Sequence, residues 1–126
     1  MELDTAVTGI MGLRKRIHEQ RQWDNPVSLS DTMTKLAVYN AYLADHIADL
    51  HHEATQSSID AFKHAREADK GVTEAEREAK EGSIEARKNY EQINYIYKST
   101  GNLITVLQTR LKVIENQLKQ EGVNQV

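Results

Sequence analysis

The stretch "NYEQINYIYKSTGNLITVLQTRLKVIENQL", residues 89–118, decides the fold class. Tyr90, Ile93, Tyr97, Thr100, Ile104, Leu107, Leu111, Ile114 and Leu118 recur at alternating steps of three and four, which places them along one face of an α-helix. A half-buried strand would need alternation at every second residue. One segment, "KSTGN" at 98–102, gathers loop-forming residues and offers a break into two helices. The seven-residue register passes through Thr100 without a slip, so the pattern predicts a continuous helix over about 74–119 with a narrow polar waist at Gly101.

Working outward, the preceding helix is expected over about 30–69. Met33, Asn40, Ile47, Ala54, Ala61 and Ala68 form one heptad series, and Leu36, Leu43, Leu50, Ser57 and His64 the other. Both series shrink along the chain. "ADKGVTEAE" then supplies Gly71 to end that helix, and Thr73 with Glu76 as a capping box for the next, so the chain reverses at about 70–73. Ahead of these, Leu3, Ala6, Val7, Ile10, Leu13 and Ile17 mark a first helix over about 2–20. A linker over 21–29 contains Asn25-Pro26, with Ser28 or Ser30 as caps for the second helix, and 120–126 reads as a disordered tail. The expected fold is therefore all-α: a three-helix bundle in one domain, built on a long antiparallel, coiled-coil-like hairpin with a polar tip.

Composition agrees with helix and narrows the functional classes. The 126 residues include one Pro and six Gly, with 28% charged residues. No apolar run reaches the roughly 20 residues that span a bilayer, and the amino end lacks a signal-peptide pattern, which predicts a cytoplasmic chain with no membrane role. Without cysteine there is no disulfide or thiolate chemistry. A net charge of −3 argues against a wholly nucleic-acid-binding surface but leaves room for a local basic patch.

Apolar mass is unevenly distributed along the hairpin. Residues 51–89 hold 16 charged positions and only Ile59, Phe62, Val72 and Ile84 as large apolar side chains, whereas 90–118 hold 13 large apolar or Tyr residues. At this greasy base Ile96, Leu103, Val106 and Val113 lie beside the main seam and widen the apolar arc beyond what one neighbouring helix covers. They are the candidate oligomer or partner interface, with the first helix and a second copy of the chain as the two covering elements.

The candidate nucleic-acid contacts are Arg14, Lys15, Arg16, Arg21 and Trp23, in "GLRKRIHEQRQWDNP" at 12–26. Cations in the last turns of a helix complement its dipole, and Trp23 is suited to plugging a bundle end. The same combination of consecutive cations and a nearby Trp also holds phosphates and stacks an unpaired base. "ADHIADLHHEA" places His46, His51 and His52 among Asp45, Asp49 and Glu53, but lacks the repeated Glu-x-x-His pairs of a bundle metal centre, so neither metal nor cofactor is expected. "KSTG" has no preceding strand and glycine-rich turn to make it a phosphate loop. No nucleophile-base or paired-carboxylate arrangement is defensible from spacing, and the chain reads as a non-enzyme.

The segment "AKEGSIEARKNYEQINYIYKSTGNLITVLQTRLKVIENQ", about a third of the chain, resembles the small helical accessory proteins of bacteriophages, in particular the UvsY-type recombination mediators of T4-like phages. The resemblance rests on a Lys-containing helix start, Tyr90, the small-residue waist at 99–101, Arg110 and Ile114. It implies an oligomeric protein that binds single-stranded DNA and helps load a recombinase; an assembly factor of this kind, with a protein partner, would add Lys98 and Arg110 to the phosphate contacts on the first helix. This chain departs from that pattern by being acidic overall and by concentrating its cations in the first helix. Two other readings stand beside it: a small phage inhibitor of a host or defence protein, and an oligomer that sequesters a nucleotide signal.

Overall fold

The computed structural model describes the backbone of residues 1–20 and 25–124 and the side chains of 1–19 and 25–122. Four helices and no strand are present among them: α1 (Leu3–Gln20), α2 (Pro26–Glu67), α3 (Val72–Gly82) and α4 (Ile84–Asn124). The chain divides into two compact units, one of Met1–Leu43 with Ile96–Val126 and the other of Ala44–Tyr95.

The expected three-helix hairpin bundle is corrected at residue 83. The third helix predicted from 74 to 119 is two helices, interrupted by Ser83 at φ −105°, ψ 1°. Its Oγ donates to the carbonyls of Ala79 at 2.9 Å and Lys80 at 3.2 Å, and its amide turns to Lys80 in a three-residue bond of 3.4 Å. A serine that satisfies the last carbonyls of one helix offers the backbone an exit from it. Beside it, Gly82 sits so close to α2 that a Cβ there would meet the Ala61 Cβ at 2.9 Å. A side chain at 82 would thus press on α2 beside the break. At the waist the outcome is the reverse: α4 runs uninterrupted through 98–102, with Thr100 fully buried on the seam.

Helix ends also differ from the sequence reading, for identifiable reasons. Asn25 Oδ1 accepts from the amides of Val27 at 3.0 Å and Ser28 at 3.1 Å, so Asn25-Pro26 is a cap followed by a first-turn proline and starts α2 rather than preceding it. The end of α2 is closed by Asp69 at φ 59°, with Asp69 N donating to Arg66 O and Lys70 N to Ala65 O, both at 3.1 Å. That is a Schellman closure in which an aspartate takes the left-handed position. Gly71, read as the helix terminator, instead has extended geometry (φ −64°, ψ 164°) and caps α3 with no side-chain bond, so the Thr73–Glu76 box does not form.

The unit of Met1–Leu43 and Ile96–Val126 has a leucine and isoleucine core. Ile10 from α1, Leu36 and Leu43 from α2 and Leu107 from α4 are fully buried, with Ala6, Leu13, Leu29 and Ile114 around them. The Tyr39 ring lies on Gly9, where an added Cβ would approach within 2.5 Å of it. The Tyr42 hydroxyl donates to the Met1 carbonyl. Asn40 Nδ2 donates to the Tyr97 carbonyl at 3.2 Å, joining α2 to α4. Asn40 Oδ1 and the Thr100 hydroxyl are buried and have no partner among the described residues.

The unit of Ala44–Tyr95 has a core of small side chains: Ala54, Ala65, Ala75, Ala79 and Ser83, with Ile93 as its one large buried member. The turn between α2 and α3 is fastened by an ion pair of Lys70 with Glu78 and by Arg66 Nη1 donating to Lys70 O at 3.1 Å. His51 on α2 meets the Tyr90 ring on α4 edge-on, centroids 5.0 Å apart.

Candidate functional site

The basic end of α1 is only partly available. Arg14 is half-buried, and its Nη1 donates to Ser99 Oγ on α4 at 3.0 Å; that hydroxyl in turn donates to the Ile96 carbonyl at 3.2 Å. The arginine is thereby tied across two helices. Lys15 lies 3.9 Å from Glu19 with both side chains exposed, a loose pair of little energetic weight. Arg16 is exposed. Arg21 and Trp23, the other two candidate contacts, lie outside the described residues. The histidine-rich stretch gathers no set of three or more His, Asp or Glu able to hold a metal, among the described residues.

The four interface residues expected on α4 separate into two pairs. Ile96 and Leu103 are half-buried within the single chain, while Val106 and Val113 are 54% and 40% exposed. Helix geometry explains the difference. At 100° per residue, Ile96 and Leu103 lie within about 60° of the buried Thr100–Leu107–Ile114 seam, and Val106 and Val113 a further 60–80° round.

Residues that the sequence reading missed complete this outer face. Asn102, Thr109 and Asn116 follow one another at seven-residue steps beside Val106 and Val113, and all three are exposed. Together they make a second heptad strip of five uncharged residues, in a chain where 28% of residues are charged. The signal was present in the sequence as a second 3.5-residue period, hidden because Asn and Thr do not count as apolar. Beyond Ile114, residues 115–122 are exposed throughout, including Leu118 at 51%, although Leu118 continues the core register.

No family model matches the chain, and neither does any curated protein or solved structure. Among the described residues no helix is long and apolar enough to cross a membrane.

Proposed function

We propose that this protein is a non-enzymatic helical binding protein that acts as an assembly of its own copies, joined through the outer strip of α4. The observation that carries this reading is the strip Asn102, Val106, Thr109, Val113 and Asn116: exposed, uncharged and in heptad register. A face that meets its own copy must not repel itself, and an uncharged strip meets that condition. Valines at one heptad position exclude water, and Asn at the other can pair with Asn of the second copy to fix register.

Sedimentation velocity across the micromolar range tests this. The expected mass is a multiple of the 14.3 kDa protomer, falling to 14.3 kDa in a Val106→Glu/Val113→Glu variant that keeps its helical circular dichroism. A wild-type chain at 14.3 kDa throughout overturns the reading.

Contact with single-stranded nucleic acid is a second reading, favoured by the exposure of Lys15 and Arg16 side by side on α1. Assembly repeats those cations in each copy, and repeated weak phosphate contacts gain by multivalency. This is the role implied by the resemblance to phage recombination mediators. It requires affinity for a single-stranded oligonucleotide that falls with rising salt and is lost in Lys15→Gln/Arg16→Gln; no binding at low salt removes it.

A further inference from the structure

A cleft of about 370 Å³ lies within the unit of Ala44–Tyr95, lined by α2 through His51, Ala54 and Ile59, and by Lys80, Arg87 and Tyr90 from either side of the Ser83 break. We propose that it binds a small phosphorylated ligand with a flat ring, of the nucleoside monophosphate class.

Three features point to that chemistry. First, the cleft brings two cations, Lys80 and Arg87, to one wall, and neither forms an ion pair among the described residues. Glu91 is the one carboxylate on the lining, so the recess is net positive in a chain of net charge −3. Second, the exposed Arg87 donates from Nη2 to the Lys80 carbonyl at 3.0 Å, which sets the guanidinium at the cleft and leaves its other N–H groups to serve a phosphate. Third, His51 and Tyr90 stand edge to face at 5.0 Å, presenting ring surface beside Ala54 and Ile59 for a planar group. The volume falls in the range of small-ligand pockets.

Two other recesses among the described residues have different chemistry. One, in the unit of Met1–Leu43 and Ile96–Val126, carries Asp31 and Glu115 and no cation. Another, on the same unit as the cleft, sets Glu53 and Glu85 against Lys88 alone and has no aromatic wall. The interruption at Ser83 shapes the same cleft. A continuous helix would carry Lys80 and Arg87 past α2 at fixed helical spacing, whereas the break lets Arg87 reach back to the Lys80 carbonyl.

The test is titration of the wild-type protein with AMP, followed by calorimetry and by amide chemical shifts. The expected result is saturable binding with shifts confined to residues 51–59 and 80–91. Lys80→Gln and Arg87→Gln should each weaken it about tenfold, the effect of losing one charge-assisted hydrogen bond. Lys80→Gln leaves the donor that closes the break intact, so it reports on binding even where Arg87→Gln disturbs the helix junction. Inorganic phosphate and adenosine, which each supply half of the recognition, should bind at least tenfold more weakly than AMP. The proposal is overturned by no AMP binding at millimolar concentration, by unchanged affinity in Lys80→Gln, by adenosine binding as tightly as AMP, or by shifts centred on residues 14–16 of α1.

Discussion

The two compact units share helices α2 and α4 but are held together by different kinds of side chain. Where α1 joins them, Ile10, Leu36, Leu43 and Leu107 fill the core; where α3 joins them, Ala54, Ala65, Ala75 and Ala79 do. Burying a leucine removes about three more methylenes from water than burying an alanine, at about 0.8 kcal/mol each. The first arrangement concentrates stability. The second brings backbones close, as at Gly82 against Ala61, and leaves room beside the seam for a cleft lined by longer polar side chains. A heptad pattern carried along one helix therefore supports two unlike jobs, according to the size of the residues that occupy it.

The largest effect that should separate the two units comes from truncating their cores. Leu36→Ala is expected to cost about 2–5 kcal/mol, while Ala65→Gly, an equally buried site, should cost about 1 kcal/mol through helix propensity. Urea denaturation gives both values. Amide exchange adds the location: protection should be greatest around Leu36 and Leu107 and weaker around Ala65 and Ala75. Equal protection in the two regions would break the comparison.

Next in size is Gly9→Ala. The new Cβ meets the Tyr39 ring at 2.5 Å, and overpacking of this kind costs about 1–3 kcal/mol. Alanine's helix propensity returns about 1 kcal/mol, so a net loss of stability is expected in thermal melts. A gain would mean that the ring yields freely and that this core is less tightly fitted than the leucines suggest.

Smaller still, and opposite in sign, is Thr100→Val. The substitution keeps the shape of the side chain and removes a buried hydroxyl that has no partner among the described residues, so stability should rise by about 1 kcal/mol in the same denaturation assay. The Asn40 amide, bonded to the Tyr97 carbonyl, stays to hold α2 and α4 in register.

The smallest effect belongs to the turn of the alanine-cored unit. The hydrogen bond to Glu78 holds the Lys70 ammonium above its ordinary value of 10.5, against partial desolvation and with added attraction from the Glu78 and Glu74 carboxylates. A raised lysine contributes its full stabilisation below 10.5 and loses it as pH climbs through the higher folded value. The difference in melting temperature between wild type and Glu78→Gln should therefore be small and constant from neutral pH to just below 10.5, and should vanish above the folded value. A difference that instead disappears towards neutral pH would place the pair's contribution elsewhere.

What the sequence made legible follows the same division. Tyr97, Thr100, Leu107 and Ile114 announced α4 because a long apolar period needs no knowledge of its neighbours. The waist at 98–102 was correctly carried through by register alone. By contrast, the break after α3 is marked by a Ser83 hydroxyl that bonds backward and by Gly82 facing Ala61, a relation between helices that spacing does not encode. Asn25-Pro26 looked like a break and is a start, since the same dipeptide serves both and the direction depends on which amides reach Asn25 Oδ1. Val106 and Val113 were found as surplus apolar residues, but their uncharged companions were not. The cleft was invisible because His51, Lys80, Arg87 and Tyr90 come from three helices and meet only after the turn at 68–71 and the break at 83 are in place.

The proposed assembly gives α4 two working faces, one for its own chain and one for another copy. Because the chain has no cysteine, a nitroxide placed through Thr109→Cys reports on the centre of the outer strip without background. Pulsed dipolar spectroscopy should then show a defined spin–spin distance between copies at micromolar concentration, abolished on dilution with a large excess of unlabelled protein. A featureless decay from undiluted Thr109-labelled protein, as isolated spins give, would contradict it.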